Sequence, residues 1–191
     1  MIGNDIIDLR LSLNQNNWKR KGFLDKLFSE VEQDQILKSK DPELNIWVLW
    51  AMKESAYKAH QRRFELSRNF NPKAFRCEII EDKTASVIGK VSIDGNSYLT
   101  KASISKEFIY CIATLSNSTN FVQKIYCKPT DLKIELINAV SRQKNLPKEK
   151  ISIKKTSQFI PFLISENQNL FCNFSMTHHG DFSAFIMELR N

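Results

Sequence analysis

Ile46-Trp47-Val48-Leu49-Trp50-Ala51-Met52-Lys53-Glu54-Ser55-Ala56-Tyr57-Lys58 is the stretch on which the reading of this chain turns. Asp41-Pro42-Glu43 precedes it and makes a good helix start, since proline is tolerated in a first turn and acidic groups favour the positive helix end. A helix is expected over residues 42–61. Its first half is apolar on every side and should be buried all round. Trp47, Trp50, Glu54 and Lys58 fall at i, i+3, i+7 and i+11, so one stripe passes from apolar to acidic to basic without leaving its face. Taken alone, Glu54 and Lys58 form an ordinary surface pair worth roughly a few tenths of a kcal/mol.

Working outward, residues 1–9 alternate loosely, are rich in isoleucine, and read as a strand carrying Gly3-Asn4-Asp5. Residues 14–22 are polar and basic, ending in Lys19-Arg20-Lys21-Gly22. Phe23, Leu24, Leu27 and Phe28 take helical spacing, and Ser29-Glu30-Val31-Glu32 has the form of a capping box ahead of a helix over 30–38. After Phe70 the period changes. Strands are expected over 75–80, 85–93, 98–105 and 108–115, with Asp94-Gly95-Asn96 as a hairpin turn. Ser116-Asn117-Ser118-Thr119-Asn120 is the only polar low-complexity run and is read as a boundary. A helix over 130–144 and strands over 151–154, 160–164, 171–176 and 182–189 follow. The class expected is α+β: two lobes, 1–116 and 117–191, each with one main helix packed on a small antiparallel sheet.

Composition narrows the possibilities without deciding among them. The chain has 191 residues, 42% of them hydrophobic, which excludes a wholly disordered polymer. Its longest apolar run, residues 108–115, is far below the roughly 20 residues of a membrane span. Asp5 and Asp8 interrupt the place where a secretion signal would be apolar. Cys77, Cys111, Cys127 and Cys172 are scattered and read as buried hydrophobes of a reduced, cytoplasmic protein. His178-His179 raises zinc, but neighbours in a strand point to opposite faces and no third ligand is spaced nearby. The net charge of +7 calls for an anionic partner. Nucleic acid fits poorly, because the aromatics lie in apolar runs rather than interleaved with lysines.

Gly3-Asn4-Asp5, the helix string ending in Lys58, and Ser175-Met176-Thr177-His178-His179-Gly180 stand in that order. Together they resemble the 4′-phosphopantetheinyl transferase superfamily, which carries a Gly-x-Asp strand, a Trp/Phe-x-x-Lys-Glu-Ser/Ala-x-x-Lys helix and a Ser-x-Ser/Thr-His segment. Residues 23–32 also look like the family's region between the first two motifs, and the matching stretches span about a third of the chain. The resemblance implies transfer of phosphopantetheine from coenzyme A to a serine of an apo acyl or peptidyl carrier protein, releasing 3′,5′-ADP. It implies Mg2+ held by Asp5 and Glu54, a catalytic set of Asp5, Glu54 and Lys58, and coenzyme contacts from Lys58, Thr177, His178 and Arg62. Glu54 is left as metal ligand, as base, or both. Arg62, Arg63 and Arg68 are candidates for the 3′-phosphate, and equally solvated arginines.

Two departures from the family pattern stand out. Ile7 occupies the position where larger relatives carry a third carboxylate, and Phe159-Ile160-Pro161 replaces a Gly-Lys-Pro. Asp8 is one residue too far along the strand and should face away from the site. The motif order, Gly-x-Asp first and the histidine string last, suggests a circularly permuted enzyme with one site between its own two lobes. A monomer is expected, with a small-type trimer carrying an insertion as the alternative. The partners expected are coenzyme A and an acidic carrier, with Arg10, Lys19, Arg20 and Lys21 as candidate carrier contacts, and neither nucleic acid nor membrane. The competing function is a noncatalytic coenzyme- or carrier-binding homologue.

Overall fold

The structure, a computed structural model, describes residues 1–15, 17–115, 120–128 and 130–189. The expected boundary at residues 116–120 lies outside the described residues except for Asn120.

The chain begins with strand β1 (Ile2–Asp8), buried at every position. Short helices α1 (Leu9–Gln15) and α2 (Phe23–Leu27) lead to α3 (Glu30–Lys38). The capping box forms as its sequence predicts: Ser29 Oγ accepts the Glu32 amide and the Glu32 carboxylate accepts the Ser29 amide. Helix α4 (Pro42–Phe64) starts at an Asp41 cap and stops at Glu65, whose backbone is left-handed. It runs nearly a turn beyond the expected end. Strands β2 (Arg76–Lys83), β3 (Ser86–Ile93), β4 (Asn96–Ile104) and β5 (Phe108–Thr114) join β1 in a five-stranded antiparallel sheet of order β1-β5-β4-β3-β2. Asp94 and Gly95 both take positive φ (47° and 73°) at the β3–β4 turn, the geometry that matches the right-handed twist of a hairpin.

Strand β6 (Phe121–Tyr126), helix α5 (Leu132–Lys144) and strands β7 (Ile151–Lys155), β8 (Pro161–Ser165), β9 (Gln168–Asn169), β10 (Phe174–His179) and β11 (Phe182–Glu188) complete the chain. The strands divide between two three-stranded sheets, β10-β11-β6 and β7-β8-β9. The α+β class expected from the sequence is the class observed. Among the described residues no helix is long and apolar enough to cross a membrane, and the four cysteines are free.

Helix α1, strand β6 and the two-residue strand β9 have no counterpart among the elements expected from the sequence. Helix α1 falls partly in the stretch read as polar and basic, and its start is set by the Asp8 carboxylate, which accepts the Leu11 amide at 3.0 Å. Strand β6 has no clean alternation; it pairs on one side only, with β11, and is fixed by that partner. The strand expected at 171 begins instead at Phe174, so His178 and His179 lie inside it.

Helix α4 packs across the large sheet, and the core between them includes Ile46, Leu49, Met52, Ala56, Val91, Ile109 and Cys111. A second core sits under α5, from Leu136 and Val140 to Phe174 and Phe185. A third, smaller one joins Ile6 and Tyr110 of the large sheet to Phe182 and Ala184 of β11. Gly3 sets the approach of β1 to α4: a Cβ there would lie 2.0 Å from the Ser55 carbonyl oxygen and 2.8 Å from the Ala59 nitrogen. Strand β1 is therefore covered by α4, β5 and the β10–β11 hairpin together, and that crowding positions the site.

Candidate active site

Trp47, Trp50, Glu54 and Lys58 of α4 all face one cavity of about 560 Å3, so the stripe read from spacing is a cavity wall. Asp5 and Ile7 of β1 form the opposite side, and Thr177 and His178 of β10 close it from the far end of the chain. The cavity is apolar towards Trp47, Phe23 and Leu27 and charged towards Asp5, Glu54, Lys58 and Arg68.

Asp5 is the hub. Its Oδ1 accepts from Lys58 Nζ at 2.8 Å and from the Thr177 hydroxyl at 2.9 Å. Lys58 Nζ also donates to the Asn4 carbonyl at 2.9 Å, and the Thr177 hydroxyl accepts the Ile6 amide at 3.3 Å. Asp5 Oδ2 and the Glu54 carboxylate take no hydrogen bond among the described residues. Burial pushes the Glu54 carboxyl up to about 7, with the nearby Asp5 charge adding to the rise and Lys58 and Arg68 opposing it. Two carboxylates thus share a cavity with two cations, Lys58 and Arg68, and burial together with the Asp5 charge makes Glu54 hold its proton more tightly than a free carboxyl. Oxygen atoms left open on such a pair are the donors a hard divalent cation takes while keeping several waters. Among the described residues no group of three or more His, Cys, Asp or Glu side chains gathers, and Ile7 presents an apolar wall where a third carboxylate would stand.

A family model for the 4′-phosphopantetheinyl transferase superfamily matches residues 1–113, more than half of the chain. The chain belongs to this superfamily. No curated protein matches it. The segment matched holds Asp5, Glu54 and Lys58 but ends well before β10, so it is folding that brings Thr177 and His178 of this phosphopantetheinyl transferase relative to the same cavity.

The other expected residues fall as follows. His178 is exposed and lines both this cavity and an adjoining one at the start of α5. Arg68 reaches the main cavity, whereas Arg62 lines a separate cavity of about 310 Å3 with Pro161 and Phe174. Arg62 donates to the Lys58 carbonyl at 2.9 Å, and burial pulls its guanidinium down to about 10. Arg63 lies over the Phe64 ring. Arg10 pairs with Asp181 at 2.7 Å on the surface. Asp8 does not line the cavity; burial pushes its carboxyl up, but the Leu11 and Asp181 amides and the Arg10 charge outweigh that and hold it below the usual range.

The sequence reading passed over Lys53. It is fully buried behind α4, pairs with Glu32 at 2.8 Å, and donates to the carbonyls of Pro72 and Phe75. Adjacent members of one string thus face opposite ways: Lys53 braces the helix from behind while Glu54 faces the cavity. Lys53 and Glu54 stand side by side at the end of the apolar run Ile46 to Met52, and spacing alone does not say which of the two turns inward.

Proposed function

We propose that this protein transfers 4′-phosphopantetheine from coenzyme A to a serine of an apo acyl or peptidyl carrier protein, with Mg2+, and releases 3′,5′-ADP. The observation that carries this reading is the convergence of Asp5, Glu54, Lys58 and His178 on one cavity from three distant parts of the chain. The serine oxygen forms a bond to the β-phosphorus, and the anhydride bond to the leaving 3′,5′-ADP breaks. The serine hydroxyl gives its proton to Glu54, directly or through a water, and Glu54 is a carboxylate whose affinity for protons suits work near neutral pH. Lys58 binds and orients the phosphates from one side, and His178 from the other. Asp5 and Glu54 fit a magnesium ion, which when bound would spread the charge developing on the pyrophosphate. Thr177, with its hydroxyl already committed to Asp5 and Ile6, orients Asp5.

In this reading the chain works as a monomer of two lobes, 1–116 and 117–191, in the cytoplasm. The surplus of lysine and arginine serves a polyanionic coenzyme and an acidic carrier. Incubation with coenzyme A, Mg2+ and several apo carriers tests it. A carrier mass raised by one phosphopantetheine supports transfer; no change with any carrier favours a binding role.

A further inference from the structure

The edge of β1 that does not pair with β5 is met by side chains rather than by backbone. The Asn4 amide donates to Ser175 Oγ at 3.2 Å, the Ile6 amide to Thr177 Oγ1 at 3.3 Å, and the Asp8 amide to His179 Nδ1 at 2.9 Å. Arg10 and Asp181 continue the series at 2.7 Å, and all four pairs have the same sequence separation of 171. A constant separation means that β10 runs parallel to β1 and in register with it, three side-chain rungs replacing a backbone ladder. In a backbone ladder each residue offers the same donors and acceptors, so strands can slip. Here only positions 175, 177 and 179 supply acceptors, and the register has one solution.

Resting on the proposed transfer, we propose that His179 is a positioning residue: by accepting the Asp8 amide it closes this side-chain ladder and holds Thr177 against Asp5. Its rung is the shortest of the three. The turn beyond it is clamped to the same residue, because the Asp181 amide donates to Asp8 Oδ2 at 3.2 Å. Gly180 takes φ +56° there, and a Cβ would lie 2.2 Å from Asp8 Oδ2, so only glycine lets the turn close this tightly on Asp8. The middle rung is Thr177, whose hydroxyl accepts the Ile6 amide and donates to Asp5 Oδ1, the oxygen also held by Lys58. Slack at the His179 end therefore reaches the Asp5 carboxylate through one residue pair. A backbone N–H can only donate, so Nδ1 carries no proton and the ring is the neutral Nε2–H tautomer.

The test combines imidazole 15N shifts, amide exchange and kinetics on wild type, His179→Asn, which keeps an acceptor near the same place, and His179→Phe, which removes it. The expected wild-type tautomer has Nε2 protonated and Nδ1 bare. His179→Phe should lose protection of the Asp8 amide by about tenfold, the weight of one hydrogen bond, and weaken that of Ile6. Its kcat should fall about tenfold with KM for coenzyme A little changed, and His179→Asn should restore both readouts. An Nδ1-protonated ring, an Asp8 amide equally protected in His179→Phe, or a lower Tm with unchanged kcat overturns the proposal. If His179→Phe does not fold, the tautomer and the His179→Asn kinetics decide. An inactive wild type would sink the proposed transfer, whereas exchange at Ile6 and Asp8 would still decide whether His179 sets the register.

Discussion

Lys53→Met separates two neighbouring residues that the sequence presents as one motif. Lys53 and Glu32 are 0% and 2% exposed, and the ammonium satisfies the Pro72 and Phe75 carbonyls as well as the carboxylate. Met fills a similar volume but takes the ammonium from the Phe75 carbonyl, leaves the Pro72 carbonyl with the Phe75 amide alone, and leaves the Glu32 charge with only the Ser29 and Cys77 groups. Breaking one side of a buried pair of this kind costs about 3–5 kcal/mol. At roughly 2–4 °C per kcal/mol for a chain of this size, Tm should fall by roughly 6–20 °C. Urea denaturation gives the free energy, and a cycle with Glu32→Gln isolates the pair, whose coupling should exceed about 1 kcal/mol. Lys53 does not line the cavity, so kcat of the folded variant should stay within about twofold of wild type. A loss under 1 kcal/mol, additive behaviour in the cycle, or a large kcat defect in a stable protein would refute the buried-brace reasoning.

Two further outcomes follow from the same geometry. In chelator, the folded Glu54 carboxyl, raised to about 7, keeps a proton that the unfolded chain gives up from about 4.5, so this group's contribution to stability is lost as pH rises through that window. The amplitude is up to about 3 kcal/mol, and the difference between wild type and Glu54→Gln across pH 4.5–7 in urea melts reads it; wild type gaining on the variant with rising pH would contradict it. Gly3→Ala should cost about 2–3 kcal/mol and lower kcat as β1 is pushed off α4, since the new methyl meets backbone at 2.0 Å; an unchanged Tm would show that the two elements are not in contact.

Legibility divided along physical lines. Local rules marked the Ser29 box, the Asp41 start of α4 and the Asp94-Gly95 turn, because each is decided by neighbours in sequence. The stripe Trp47-Trp50-Glu54-Lys58 foretold a shared face, since helical periodicity fixes direction. Strand β6 escaped, being stabilised by β11 far along the chain. So did the Lys53–Glu32 pair, because spacing cannot say which of two adjacent charges turns inward. The side-chain ladder was hidden for the same reason: Ser175, Thr177 and His179 alternate as any strand does, and only the fold shows that β1 lies opposite. His179 makes the shortest of the three rungs, and nothing in the string Ser175-Met176-Thr177-His178-His179-Gly180 sets it apart from His178.

The most direct test of the central claim is the mass of an apo carrier protein after incubation with coenzyme A, Mg2+ and wild type, Asp5→Ala or Glu54→Ala. The account predicts one added phosphopantetheine with wild type and none with either variant, both remaining folded. No addition by wild type with any carrier, or undiminished addition by the variants, would contradict it.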